Sequence, residues 1–246
     1  ASNGTFVSAS LYDNIEFLDN ELFIVTNFGK KGIVNKFGEN ITLSTYDCFM
    51  SAGSKHIIFQ LGSKFGLMDR KGEIVVQPIY DALNSQSDSL LISSIKRDKI
   101  VKMGLIDLNG RVLVENKFRE LIIKGDNQMI VSLDKKIRYL ANFSGNFISA
   151  PYSDIYFSGI VLNKDKYGFV NELGKLVIPS IYTQLEELNS GYFLAVNLEN
   201  KQGLLDSLGR IVIPFNKHTI SFVGEGIYSL AKSIDANSGK YAVNLF

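Results

Sequence analysis

The stretch Lys64–Leu83, KFGLMDRKGEIVVQPIYDAL, sets an Asp three residues ahead of a Gly between two short apolar runs. In a type I turn the first position favours Asp, Asn or Ser, whose side chain accepts a backbone N–H two residues on. The fourth favours Gly, which takes positive φ at little cost. Asp69 and Gly72 fit those two positions, so two strands joined by a tight turn are expected here.

The same arrangement recurs along the chain. GIVNKFG begins at Gly32, GLMDRKG at Gly66, GLIDLNG at Gly104, GFVNELG at Gly168 and GLLDSLG at Gly203. YLANFSG from Tyr139 lacks the first Gly, and YAVNLF from Tyr241 keeps only the front of the pattern. Successive starts at 32, 66, 104, 139, 168, 203 and 241 are separated by 34, 38, 35, 29, 35 and 38 residues, a repeat that fills the sequence. Every copy carries the turn residue: Asn35, Asp69, Asp107, Asn142, Asn171, Asp206 and Asn244. These seven read as turn-formers, not as a convergent metal or acid–base set.

Each turn Gly is followed by a second apolar run and then by Tyr-Asp or a relative: Tyr12–Asp13, Tyr46–Asp47 and Tyr80–Asp81, decaying to Phe118–Arg119, Tyr182–Thr183 and Lys217–His218. Around Tyr152 the register slips by one. Two residues past the Asp position stands an apolar side chain, Ile15, Phe49, Leu83, Leu121, Tyr156, Leu185 or Ile220, so a third strand is expected to begin at the Tyr. A fourth, such as KHIIFQL or GYFLAVN, precedes the next repeat. The runs are short, β-branched and aromatic, and bounded by turn residues. IYTQLEELN is the nearest approach to a helical pattern, and the repeat places it in a strand. The chain therefore reads as an all-β, antiparallel repeat protein forming a single domain over 1–246, with four strands per unit.

GTFVSASLYDNI from Gly4 aligns with GEIVVQPIYDAL from Gly72, and the chain ends on the strand that precedes the same turn. Residues 1–27 would then complete the unit begun at 241. A closed seven-bladed β-propeller with a shared first and last blade removes the exposed strand edges that an open rod would leave. A six-bladed ring and an open β-solenoid are the alternatives.

These motifs resemble the WG-repeat family, whose units read Trp-Gly, two apolar residues, Asp, two residues, Gly, an apolar strand, Pro and Tyr-Asp. FGLMDRKGEIVVQPIYDAL from Phe65 and YGFVNELGKLVIPSIY from Tyr167 are the nearest copies, and the pattern spans essentially the whole chain. The departure is the absence of Trp: its place holds Lys31, Phe65, Met103, Arg138, Tyr167, Gln202 and Lys240. The resemblance implies a bacterial β-repeat module that serves as an interaction platform without enzymatic activity.

Composition narrows the function classes. The chain is 46% apolar and 21% charged, with 26 Lys and Arg against 25 Asp and Glu. Its densest cluster, KRDK at Lys96–Lys99, contains its own Asp. A nucleic-acid partner, which calls for a basic surplus or stripe, is not expected. No apolar run approaches the roughly 18 residues of a membrane helix. Cys48 is the only cysteine and lies in a strand-like run, so an inert buried thiol is expected. The first residues, ASNG, lack an initiator Met, which tilts the expected location towards secreted, periplasmic or cell-surface over cytoplasmic.

Candidates for chemistry are sparse. His56 and His218 show no metal-ligand spacing, and no cofactor fingerprint or GxSxG elbow occurs. Glu186–Glu187 is the only adjacent carboxylate pair and would straddle a strand. Tyr12, Tyr46, Tyr80, Phe118 and Tyr182 read as inter-sheet packing with hydroxyls on backbone partners, or alternatively as an aromatic face for sugar or peptide. Lys31, Arg138, Gln202 and Lys240 read as solvent-facing positions that tune a partner surface. The expectation is a monomeric, cofactor-free binding module for a protein or glycan, with no catalytic or metal-ligating residues. The alternative is a carbohydrate-active hydrolase or lyase with a central pocket. The sequence names neither reaction nor partner.

Overall fold

The computed structural model describes residues 12–19, 21–188, 191–224, 227–235 and 240–245. They form seven antiparallel sheets in chain order, and no helix occurs among them. The chain divides into two compact units: residues 1–123 with 143–145, and residues 124–142 with 146–246.

The first unit holds three four-stranded meanders. Sheet one is β1 (Asn14–Phe17), β2 (Leu22–Asn27), β3 (Lys30–Asn35) and β4 (Asn40–Tyr46). Sheet two is β5 (Cys48–Ala52), β6 (His56–Leu61), β7 (Lys64–Asp69) and β8 (Ile74–Tyr80). Sheet three is β9 (Ala82–Ser85), β10 (Leu90–Arg97), β11 (Ile100–Asp107) and β12 (Val112–Phe118). Neighbouring sheets bury apolar faces against one another. Ile24, Ile33, Phe49, Phe59 and Met68 fill one layer, and Ile58, Leu67, Leu83, Leu91 and Ile106 the next.

Sheets five to seven lie in the second unit, as does most of sheet four, whose first strand begins at residue 120, ahead of the division after 123. β13 (Glu120–Gly125), β14 (Gln128–Ser132) and β15 (Arg138–Ala141) form sheet four. Its outer edge is not a continuous strand; it is reduced to bridges between Ala141 and Phe147 and between Arg138 and Tyr152. Sheet five is β16 (Asp154–Ile155), β17 (Ile160–Asn163), β18 (Lys166–Val170) and β19 (Leu176–Tyr182). Sheet six is β20 (Gln184–Leu188), β21 (Tyr192–Val196), β22 (Gln202–Leu205) and β23 (Ile211–Asn216). Sheet seven is β24 (Thr219–Gly224), β25 (Ile227–Asp235) and β26 (Lys240–Leu245). The expected completion of sheet seven by residues 4–10, and with it the closing ladder to 241–246, lies outside the described residues.

The Asx turn is tighter than the sequence reading required. The Asp69 carboxylate accepts N–H from both Lys71 and Glu73, at 2.8 and 2.9 Å. Asn35, Asp107, Asn171 and Asp206 accept the same pair of amides in their own turns. Gly72 then takes φ +87° and donates its N–H back to the Asp69 carbonyl. A Cβ on Gly72 would lie 2.8 Å from the Ile41 carbonyl of the preceding sheet. Gly174 stands in the same relation to Ile148, with still less room. The turn glycine thus does two things at once: it reverses the chain, and it brings that turn against its neighbour's backbone.

A second feature was not read from the sequence. Lys31 pairs with Tyr46 and Ile33 with Thr42, so Leu43, Ser44 and Thr45 stand opposite Gly32 alone. The same bulge recurs opposite Gly66, Gly104 and Gly168, and in a shorter form opposite Gly203. A bulge frees outer-strand amides from the ladder and presses that strand inward. Three of the four prolines, Pro78, Pro179 and Pro214, sit in these bulges, where no ladder donor is needed.

Space, not backbone angle, thus demands the first motif glycine. A Cβ at Gly66 would come within 2.6 Å of the Val76 carbonyl. Gly62, in the β6–β7 hairpin, has φ +62° but open space around it. Gly66→Ala is expected to cost about 1–3 kcal/mol from overpacking, against about 1 kcal/mol for Gly62→Ala. Urea unfolding of the two variants tests this order.

Candidate functional site

The Tyr-Asp segment lies where one sheet passes to the next. Tyr80, Phe118, Tyr152 and Tyr182 are buried, and Tyr46 is half-buried against Phe49 and Phe59. Burial of Tyr80, Phe118 and Tyr182 agrees with the packing reading, while the Tyr12 hydroxyl donates to the Asn40 side chain and not to backbone. Burial raises the Tyr80, Tyr152 and Tyr182 phenols above their ordinary range.

The Asp of the pair is a staple. Asp81 accepts from the Lys64 ammonium at 2.8 Å, in the hairpin of the sheet just completed. Its other oxygen accepts the Lys96 N–H at 2.7 Å, in the hairpin of the sheet that follows. Asp47 likewise bridges the Lys30 side chain and the Gly62 N–H, and Asp13 takes the Phe28 N–H. At Thr183, where the Asp is lost, the hydroxyl donates to the Val196 carbonyl of the next sheet and keeps part of the contact. A recurring Lys two residues before the motif glycine, at 30, 64, 102, 166 and 201, was the available signal.

At the opposite ends of the strands, the Arg70 guanidinium grips Asp19 with two hydrogen bonds, at 2.6 and 2.9 Å. This pairing holds the Asp19 carboxyl at about 2, well below its ordinary 3.8. The Lys30 and Lys64 ammonium groups lower Asp47 and Asp81.

The positions expected to face solvent are more constrained than that. Lys31 pairs with Glu16 at 3.1 Å, and Arg138 pairs with Asp154. Gln202 accepts the Ile220 N–H of the next sheet at 2.7 Å. The Trp-equivalent position lies directly across the ladder from the Tyr position, Phe65 opposite Tyr80 and Tyr167 opposite Tyr182, which draws these side chains inward. The Lys240 side chain lies outside the described residues.

The remaining candidates stay dispersed. His56 faces Asp69 across β6 and β7, and its Nδ1 is shielded without a hydrogen-bond partner. His218 lies in sheet six's exit segment, with its Nδ1 similarly shielded. Glu186 and Glu187 are both exposed on β20. Cys48 is half-buried, not fully buried as expected, because it opens β5 at the sheet's end. Among the described residues no three His, Cys, Asp or Glu side chains cluster to hold a metal, and no helix is long and apolar enough to cross a membrane.

Two apolar positions differ from expectation. Ile15 is 58% exposed on the edge strand β1. Tyr156 is 43% exposed, while Ile155 takes the core place at 4%. The one-residue slip near Tyr152 exchanges the faces of these two neighbours, as strand alternation requires. Tyr156 lies beside Tyr167. Together with Ser158, Thr183 and Gln184 they line a cavity of about 530 Å³ in the second unit.

The model of the WG containing repeat family matches residues 65–90 and 167–201. Those two segments are similar to WG repeats. No curated protein matches the chain in sequence. Among solved structures, the WD40 β-propeller domain of Doa1 is similar at 10% identity, covering 96% of this chain and 84% of that one, with a TM-score of 0.33. The C-terminal WD40 domain of Sif2 gives 11% identity, 98% and 85% coverage and a TM-score of 0.34. BamB from Moraxella catarrhalis gives 10%, 88% and 81%, with a TM-score of 0.35.

The depressed carboxylates carry a pH signature. A lowered folded-state pKa contributes stability that is whole above the unfolded value and lost as pH falls through the folded one. The melting temperature is expected to fall as pH drops from the ordinary 3.8 towards about 2, where Asp19 takes up its proton. Asp19→Asn and Asp81→Asn should each flatten that decline, as followed by circular dichroism.

Proposed function

We propose that this chain is a non-enzymatic binding module that presents variable side chains from an invariant β-repeat frame to a protein or glycan partner. The observation that carries this reading is the contrast within each turn. The Asx and Gly positions are repeated and hydrogen-bonded, whereas the residue just before the Gly runs Phe37, Lys71, Asn109, Ser144, Leu173 and Leu208. Phe37, Leu173 and Leu208 are 65%, 80% and 65% exposed. Large apolar side chains held in water on rigid turns suit recognition better than they suit stability.

The hydrolase or lyase reading needs two uncommitted carboxylates about 5–9 Å apart. The acidic groups with lowered pKa are already occupied, Asp134 by the Lys136 and Ile137 amides and Asp206 by the Arg210 and Leu208 amides. They hold turns.

Phe37→Ser, Leu173→Ser and Leu208→Ser combined are expected to leave the melting temperature within a few degrees of the parent. The same triple variant should lose most capture of a partner, measured by pull-down from extract and on a glycan array. Equal capture by both proteins, or cleavage of an array glycan, would contradict the reading.

A further inference from the structure

Among the described residues at the repeat-equivalent points, Ile15 and Tyr156 are exposed, and of these only Tyr156 is aromatic. At the equivalent points Phe49, Leu83, Leu121 and Leu185 are buried in the core. Only the slipped register in sheet five swings an aromatic ring outward. The slip leaves Ile155 to fill the core, so the exposed Tyr156 is not needed for packing there. Its backbone is nonetheless fixed: its N–H donates to the Ile160 carbonyl, its own carbonyl accepts the Gly159 N–H, and the Ser158 hydroxyl accepts the Ile160 N–H. The ring is presented by a rigid turn.

Opposite it stands Tyr167, which fills the position held by Trp in the WG motif and so keeps an aromatic there. The other polar groups of the lining, from Ser158, Thr183 and Gln184, are hydroxyls and an amide, and the lining includes no Asp, Glu, Lys or Arg. The nearby charges of Arg138 and Asp154 neutralise each other in a direct ion pair. A charged ligand would find no counter-charge here, while the Ser158 proton, the Thr183 lone pairs and the Gln184 amide keep capacity for further hydrogen bonds beyond those to Ile160 and Val196.

We infer that the Tyr156–Tyr167 cavity is a subsite for an uncharged saccharide, one face of a sugar ring lying on a tyrosine and its hydroxyls meeting the Ser, Thr and Gln side chains. Aromatic rings with a polar tip suit such a ligand, and the space beside them, about 530 Å³, is a groove open to solvent that would take one face of a sugar. Gln184 also borders an adjoining cavity of about 190 Å³, where Asn200 and Thr219 add an amide and a hydroxyl for a second sugar. Lys217 and His218 on that side do not change the neutral lining of the first cavity. The proposal rests on the binding-module reading and narrows it to a glycan at one place.

The test uses the full chain with neutral tetrasaccharides of glucose, mannose and N-acetylglucosamine as probes, followed by calorimetry and saturation-transfer NMR. Because the chain has no Trp, tyrosine fluorescence gives a second readout. At least one neutral probe is expected to bind at millimolar concentration or tighter, and an oligouronate to bind more weakly. Tyr156→Ala and Tyr167→Ala should each weaken binding roughly tenfold, with melting temperatures near the parent's. Tyr156→Phe, which keeps the ring, should lose less. Failure of every neutral probe, or equal binding by the Tyr156→Ala, Tyr167→Ala double variant, overturns the saccharide assignment. If that double variant instead loses capture of a protein from extract while no sugar binds, the saccharide is wrong and the binding module stands. If neither sugar nor protein is bound by the parent chain, both readings fall.

Discussion

An Asx side chain that holds two amides of its own turn is the constraint on which the rest of this structure depends. With the Asp69 oxygen bonded to the Lys71 and Glu73 N–H groups, the turn has one accessible shape. Gly72 is thereby delivered against the Ile41 carbonyl of the previous sheet. Each such hydrogen bond contributes only about 1 kcal/mol net. The repetition matters more than the single value, because every unit is seated by the same local chemistry.

Two further devices act where the turn does not reach. The bulge opposite Gly66 presses β8 onto β7, which is why proline is tolerated in the outer strand and alanine is not expected at the glycine. The Asp staple, seen at Asp47 and Asp81, joins the hairpins of consecutive sheets by one side chain with two partners. Turn, bulge and staple act at different points of each unit, so a degenerate repeat keeps its fold when it loses one of them. Sheet four illustrates this: it lacks the motif glycine and a continuous outer strand, yet Asn142 still accepts the Asn146 N–H and Arg138 still bridges to Tyr152.

The turn and the four-strand meander were legible in the sequence because both are local: Asx and Gly three apart, and short β-branched runs on either side. The bulge was not, since it is a count of residues on one strand against another, and the sequence of β8 alone does not state its partner. The staple was half legible; Tyr80–Asp81 and Lys64 both recur, but their meeting depends on a neighbouring sheet. Lys31, Arg138 and Gln202 were misread as free surface for the same reason. Tyr156 shows the converse. The slip beside it was visible, but its effect on which face the ring occupies appears only once Ile155 is seen in the core. The cavity therefore exists because the repeat is imperfect at that point, which is where a constant frame acquires an individual feature.

Native-state hydrogen exchange at the turn amides tests the central claim most directly. The N–H groups of Glu73, Arg111, Lys175 and Arg210 lie in exposed turns, where an unstructured loop would exchange at nearly free-peptide rates. If the Asx oxygens hold them, they exchange as slowly as the ladder amides of the flanking strands. Exchange at free-peptide rates in these four amides, alongside protected strands, would show that the turns follow the sheets and do not position them.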